Sequence, residues 1–339
     1  MKDEYQNEVV VITGASAGVG RAATREFARR GARIGIIARD PERLEQTKRE
    51  VERLGGEALV LPLDVADAEK VDEAASRVEQ EFGPIDIWVN NAMVTVFSPV
   101  KMMKADEYRR VTEVTYLGVV NGTLAALHRM LPRDRGKIVQ VGSALAYRAI
   151  PLQSAYCAAK HAIQGFTESL RSELYHDKSN VSVTMVQMPA LNTPQFNWTR
   201  NHLPKRPQPV PPIFQPEVAG EAIYWAAHHG RPEIYVGMPT EKAIWGNRVM
   251  PRLLDHYLAD NGFSSQLTDE PDDPNRPDNL FDPVKGDYAA RGRFDDKAKP
   301  DSKQLWATLH RGPIAIGVGI AAAAGAVAAS ILSNNHDGK

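Results

Sequence analysis

Thr13-Gly14-Ala15-Ser16-Ala17-Gly18-Val19-Gly20 closes a strand-like run, Val9–Thr13, and opens a helix-length stretch over residues 18–30. Glycines at a strand-to-helix turn let the backbone approach a pyrophosphate. The helix N-terminus then adds unpaired N–H donors and the positive end of its dipole. Outward from this turn the chain alternates. Apolar strand-like runs fall at 9–13, 33–38, 58–63, 85–90, 137–141, 181–187 and 233–237, with helix-length segments at 18–30, 41–54, 68–82, 104–130, 154–176 and 216–228. Strands that read as near-continuous Val, Ile and Leu belong to parallel sheets covered on both faces. The rhythm predicts an α/β fold: a Rossmann-type, doubly wound, seven-stranded parallel sheet with helices on both faces.

The whole chain is 339 residues, with 41 basic and 42 acidic side chains and a net charge of -1. That balance argues against bulk electrostatic binding to nucleic acid. A single cysteine excludes a disulfide framework and leaves no cysteine cluster for zinc. Three parts are expected: a nucleotide-binding catalytic domain over 1–238, an irregular Pro/Asp-rich extension with short helices over 239–310, and an apolar Ala/Gly-rich tail over 311–339. Residues 270–300 carry only scattered apolar anchors such as Leu280, Phe281, Tyr288 and Phe294. Such a stretch builds no core of its own and either wraps over the main domain or is loosely ordered.

Further motifs follow the glycine turn in order: Asp64-Val65 after the third strand, Asn90-Asn91-Ala92 after the fourth, and Ser143 with Tyr156-x3-Lys160. Together they resemble the classical short-chain dehydrogenase/reductase family over residues 8 to about 237. The resemblance implies nicotinamide cofactor contacts at Gly14, Ser16, Gly18, Val19, Gly20, Arg39, Asp64, Val65, Asn91, Tyr156, Lys160, Leu191 and Thr193. It also implies catalysis by Tyr156 as general acid/base, by Ser143 orienting the substrate oxygen, and by Lys160 holding the nicotinamide ribose and tuning the tyrosine. Tyr156 and Lys160 lie four apart on one helix face. Free tyrosine titrates near about 10, and a neighbouring ammonium lowers that value. Cys157 reads as a small packing residue and His161 as packing or surface, with no metal-ligand spacing around it.

The second strand ends Ala38-Arg39-Asp40. A carboxylate at the strand end favours NAD, and a guanidinium favours the 2′-phosphate of NADP. The family's NAD-selecting acid falls where Ala38 stands, and Asp40 reads as a helix cap. NADP(H) is favoured, with NAD(H) the alternative. Three departures from the family pattern stand out: Thr115 where an asparagine is usual, Met93 after Asn-Asn-Ala, and Met188-Pro189 in place of Pro-Gly. Thr115 is carried as a fourth catalytic residue, although its hydroxyl is shorter than an amide.

Residues 195–215 are proline-rich and aromatic, the family's substrate lid, and suggest an apolar ketone or secondary alcohol. The resemblance implies a homodimer or homotetramer packed through residues 104–130 and 154–176. Residues 314–332 form an uncharged stretch of 19, within the about 17–25 that span a bilayer. The readings for it are a weak anchor on a cytoplasmic enzyme, an amphiphilic or disordered tail, or a tail packing against a partner subunit. The reading is an NADP(H)-dependent oxidoreductase; the rival is an NADP(H)-binding regulatory or scaffold protein on the same fold.

Overall fold

Period-2 patterning divides the apolar strand residues between two layers. In the computed structural model, which describes residues 7–311, the elements run β1 (Val9–Thr13), α1 (Gly18–Ala28), β2 (Arg33–Ala38), α2 (Pro41–Arg53), β3 (Glu57–Pro62) and α3 (Ala68–Phe82). There follow β4 (Ile87–Asn90), α4 (Ala105–Val111), α5 (Gly118–Met130), β5 (Lys137–Val141), α6 (Ser154–His176), β6 (Ser182–Gln187), α7 (Pro216–His228) and β7 (Glu233–Tyr235). The seven strands make one parallel sheet in the order β7-β6-β5-β4-β1-β2-β3. The order reverses between β1 and β4, the crevice where ligands bind in such sheets.

Val10, Ile12, Ile34, Ile36 and Val139 face one core with α1, α2 and α7. Val9, Val11, Ile37, Trp88 and Ile138 face the other, with α3, α5 and α6. Helix starts follow their caps. Asp40 accepts from the Arg43 amide ahead of Pro41, and Asp67 accepts from the Lys70 amide ahead of α3. The expected long fourth helix is interrupted: residues 112–117 form a π turn between α4 and α5.

The extension is built from helices α8 (Met238–Val249) and α9 (Pro251–Asn261), an irregular segment, and α10 (Lys303–Leu309). Its anchors lie on the main fold. Phe294 packs with Phe97, Leu152, Phe196 and Ile213, and Leu280 is fully buried in the same layer as Val65 and Val114. Short ladders join residues 205–207 to Leu267–Pro271 and Ile213–Phe214 to Ala298–Lys299. No helix among the described residues is long and apolar enough to cross a membrane. The stretch 314–332 lies outside the described residues.

Helices α1 and α7 cross where both are small. A Cβ placed on Gly220 would lie 2.9 Å from the Ala22 carbonyl carbon and oxygen, backbone atoms that cannot rotate away. Gly220→Ala therefore forces the helices apart and is expected to lower stability by about 1–3 kcal/mol, measured by urea unfolding. An unchanged denaturation midpoint would show that the crossing has slack.

Candidate active site

At the carboxyl edge of the sheet, over the switch between β1 and β4, lies a cavity of about 430 Å³. Its floor at one end is the glycine turn. Gly14 and Gly18 have φ of +67° and +56°, a region that favours glycine. A Cβ on Gly20 would sit 2.1 Å from the Gly14 carbonyl oxygen, so the end of β1 and the first turn of α1 touch through backbone alone. Asn91 stitches this turn, its side-chain amide donating to the Thr13 carbonyl at 2.9 Å. At the cap of α1, Ala17 offers no side-chain acceptor.

Gly14, Ser16, Gly18, Val19, Arg39, Asp64, Val65, Asn91, Leu191 and Thr193 all line the cavity, as do Ser143, Tyr156 and Lys160. Gly20 does not border it and acts by letting Gly14 approach. Asp40 caps α2 and binds the Arg43 guanidinium. Arg39 has partners that its sequence position did not suggest: its guanidinium donates to the carbonyls of Asn279 and Phe281, the latter at 2.7 Å.

Ser143 closes β5, its amide held by the Gln187 side chain at 2.7 Å. Tyr156 and Lys160 rise from the first turns of α6 on one face. The Lys160 ammonium donates to the Val141 carbonyl at 2.6 Å and lies 5.5 Å from the Tyr156 ring centroid. Burial pushes the Tyr156 phenol above its ordinary value, opposed by a hydrogen bond with Ser143. This corrects the expectation of a lowered tyrosine. Burial also pulls Lys160 down to about 8.

Thr115, expected as a fourth catalytic group, lies apart from the cavity. It is fully buried, does not border the cavity, and its hydroxyl donates to the Val94 carbonyl at 2.9 Å while accepting from the Val94 amide at 3.1 Å. With both roles spent on one loop residue beside the π turn, it positions the loop after β4. Cys157 is buried and pushed up to about 11 by that burial, and His161 bonds the Cys157 carbonyl. Among the described residues no group of three or more His, Cys, Asp and Glu is arranged to hold a metal.

The substrate half of the cavity is apolar, bordered by Leu145, Ile150, Met188, Phe196, Val210 and Ala243. The basic residues of the lid point elsewhere. Arg200 pairs with Asp278, Lys205 with Asp269, and Arg206 with Glu270 and Asp272. Sequence reasoning missed the contribution of the extension: Pro239, Thr240 and Ala243 border the cavity at one end, Asn279 and Pro283 elsewhere on its wall. Only the isolated apolar anchors hinted at it.

Comparison with known proteins accords with this architecture. The family model described as short chain dehydrogenase matches residues 8–203. Uncharacterized oxidoreductase YxnA of Bacillus subtilis is 32% identical over 281 residues, 82% of this chain and 79% of that protein. Dehydrogenase/reductase SDR family member 7 of Homo sapiens is 40% identical over 175 residues, 50% of this chain and about half, 52%, of its own length. A solved alcohol dehydrogenase from Thermococcus sibiricus, complexed with 5-hydroxy-NADP, superposes with a TM-score of 0.59 at 27% identity, covering 68% of this chain and 96% of that one.

Folding weakens the hold of Lys160 on its proton, so between about pH 8 and its ordinary 10.5 the unfolded chain binds more protons. Stability from this residue therefore grows as pH rises through that window. The unfolding free energy of the wild type relative to Lys160→Met is expected to increase with pH there. A difference that stays flat would place the ammonium in water.

Proposed function

The chain belongs to the short-chain dehydrogenase family, and on that premise we propose that it interconverts an apolar carbonyl compound and its secondary alcohol with NADP(H). The observation that carries the reading is the convergence of Ser143, Tyr156 and Lys160 on one cavity with the glycine turn. Support for a dinucleotide comes from the turn itself, which presents close-packed backbone and a helix start with no side-chain cap to the cavity. Asp64, Val65 and Asn91 would flank the adenosine side, with Leu191 and Thr193 at the nicotinamide end.

When bound, the nicotinamide supplies or accepts the hydride. The protein's own work is proton transfer and orientation. Ser143 donates a hydrogen bond to the substrate oxygen. The Tyr156 hydroxyl gives its proton to that oxygen as the carbonyl carbon becomes tetrahedral. A phenol held above its ordinary range is fully protonated at neutral pH, which suits carbonyl reduction. In the oxidative direction it must first lose that proton, so alcohol oxidation rises with pH. Lys160 holds the ribose and supplies positive charge while it remains protonated.

NADP(H) is favoured over NAD(H). Arg39 borders the cavity, Ala38 brings no carboxylate, and Asp40 is spent on the α2 cap and on Arg43. A guanidinium has five N–H donors, and the carbonyl partners of Arg39 leave some of them for a 2′-phosphate. A neutral, apolar substrate follows from the apolar lining and from the paired state of Arg200, Lys205 and Arg206. Residues 1–238 carry the reacting groups, and 239–310 complete the cavity wall. Exposed Leu117 and Leu124 on the α5 side suit burial in a dimer or tetramer formed through α4, α5 and α6.

Tyr156→Phe is expected to cut NADPH-dependent reduction across a panel of apolar ketones by about 10²–10⁴-fold while NADPH still binds. Retained turnover would overturn the proton role, and tyrosine-independent binding without any turnover in the wild type would favour a regulatory protein. Arg39→Ala should lower the ratio of NADPH to NADH affinity. A ratio left intact by that change would refute the cofactor preference.

A further inference from the structure

Residues 278–295 run along the mouth of the cavity from one end to the other. At the adenosine end, carbonyls of Asn279, Leu280 and Phe281 accept from Arg39, the Leu280 carbonyl also accepts from Arg110 at 3.0 Å, and the Val284 carbonyl accepts from Arg43. Leu280 between them is fully buried, and the Asn279 amide donates to the Trp198 carbonyl at 2.9 Å. Midway the segment meets the glycine turn. Asp287 pairs with Arg21 at 2.8 Å, and the Ala289 carbonyl accepts from the Gly18 amide at 3.1 Å. Tyr288 packs edge-on against Trp198, with ring centroids 4.6 Å apart. At the nicotinamide end, the Gly292 amide donates to the Asn192 carbonyl, and Asp295 accepts from Asn192 and Gln215, both at 2.9 Å.

We infer that this segment is the outer wall of the nucleotide site, so that the cofactor enters and leaves only when the wall lifts. The inference deepens the proposed function and rests on it. Two observations separate a wall from a plug. The cavity persists beneath the segment, and it is bordered on one side by Ser16, Gly18 and Asp64 and on the other by Asn279 and Pro283. The segment's own polar groups are satisfied by the rim rather than by the groups expected to hold the phosphates, the Gly18 amide and part of the Arg39 guanidinium excepted.

Arg39 thereby acquires a second role. Its carbonyl partners latch the wall over the adenosine end while its remaining donors face the choice of nucleotide. Lifting the wall breaks charge-assisted bonds at Arg39, Arg43, Arg110 and Arg21 together, and such bonds are stronger than neutral ones. Release of nucleotide is accordingly slow, and because each turnover spends one reduced nicotinamide, lifting of the wall limits the steady-state rate.

Asp287 and Asp295 anchor the segment without bordering the cavity. Asp287→Ala/Asp295→Ala in the full chain is expected to release NADPH about tenfold faster or more in stopped-flow displacement. In the wild type, saturating NADPH is expected to slow hydrogen exchange at the amides of Ala289 and Gly292. Faster release together with that protection supports the wall. Unchanged release from a variant whose segment exchanges faster overturns it, and so does tighter NADPH binding by the variant, the behaviour of a plug. Wild-type amides that exchange alike with and without NADPH also overturn it, whatever the variant does. A wild type that binds no nicotinamide nucleotide removes the functional reading and this inference with it, which sets that failure apart from the others.

Discussion

Three chain segments meet at the end of β1, and the side-chain amide of Asn91 is the group that ties them. Gly20 lies so close to the Gly14 carbonyl that a methyl group there would fall at 2.1 Å, and a methyl on Gly14 would meet the Asn91 amide at 2.8 Å. Close approach fixes the direction in which α1 leaves the sheet, and with it the crossing of α1 on α7 through Gly220. It also places the start of α1 at the crevice between β1 and β4. Everything on the cavity's far side, from Ser143 on β5 to Thr193 after β6, is positioned relative to that turn. Small residues are a constraint here because they set distances between rigid elements.

The reacting groups show a different economy of charge. Lys160 is nearly wholly buried and no carboxylate faces it; its one hydrogen bond in the described structure is to the Val141 carbonyl. Burial without a counter-charge brings its titration close to neutrality, and the same burial keeps the phenol of Tyr156 protonated. A cation that is barely held responds strongly to any acceptor brought near it. The ribose hydroxyls of a bound dinucleotide would supply such acceptors, which links cofactor occupancy to the proton affinity of the tyrosine.

Much of the central fold was legible because strong local signals coincided with tertiary ones. β1, β2, β5, α3, α6 and α7 fall where apolar runs, Asp67, Pro216 and the turn glycines place them. The π turn at 112–117 was not legible; Thr115 within it hydrogen-bonds the backbone of Val94, a contact across 21 positions. The same contact holds the Thr115 side chain away from the cavity. The extension was legible only as irregular. Its composition lacks a core and left two readings, wrapping over the main domain or loose order; in the described residues its anchors Leu280 and Phe294 pack on the main fold. Nothing in its side chains signalled that its carbonyls would be claimed by Arg39, Arg43 and Arg110. Asn279 and Pro283 of this stretch border the cavity.

That mode of attachment has an evolutionary consequence. Every residue brings a carbonyl, so a segment held through its backbone can change its sequence freely while the arginines that grip it stay in place. Anchors such as Leu280 and Asp287 would persist as isolated positions in a drifting background. The family model matches residues 8–203 and stops short of this segment, whereas the Bacillus subtilis relative aligns over 281 residues, 82% of this chain. Tracing it in distant relatives means following the guanidinium groups of the main fold, because they hold the record of what lies across them.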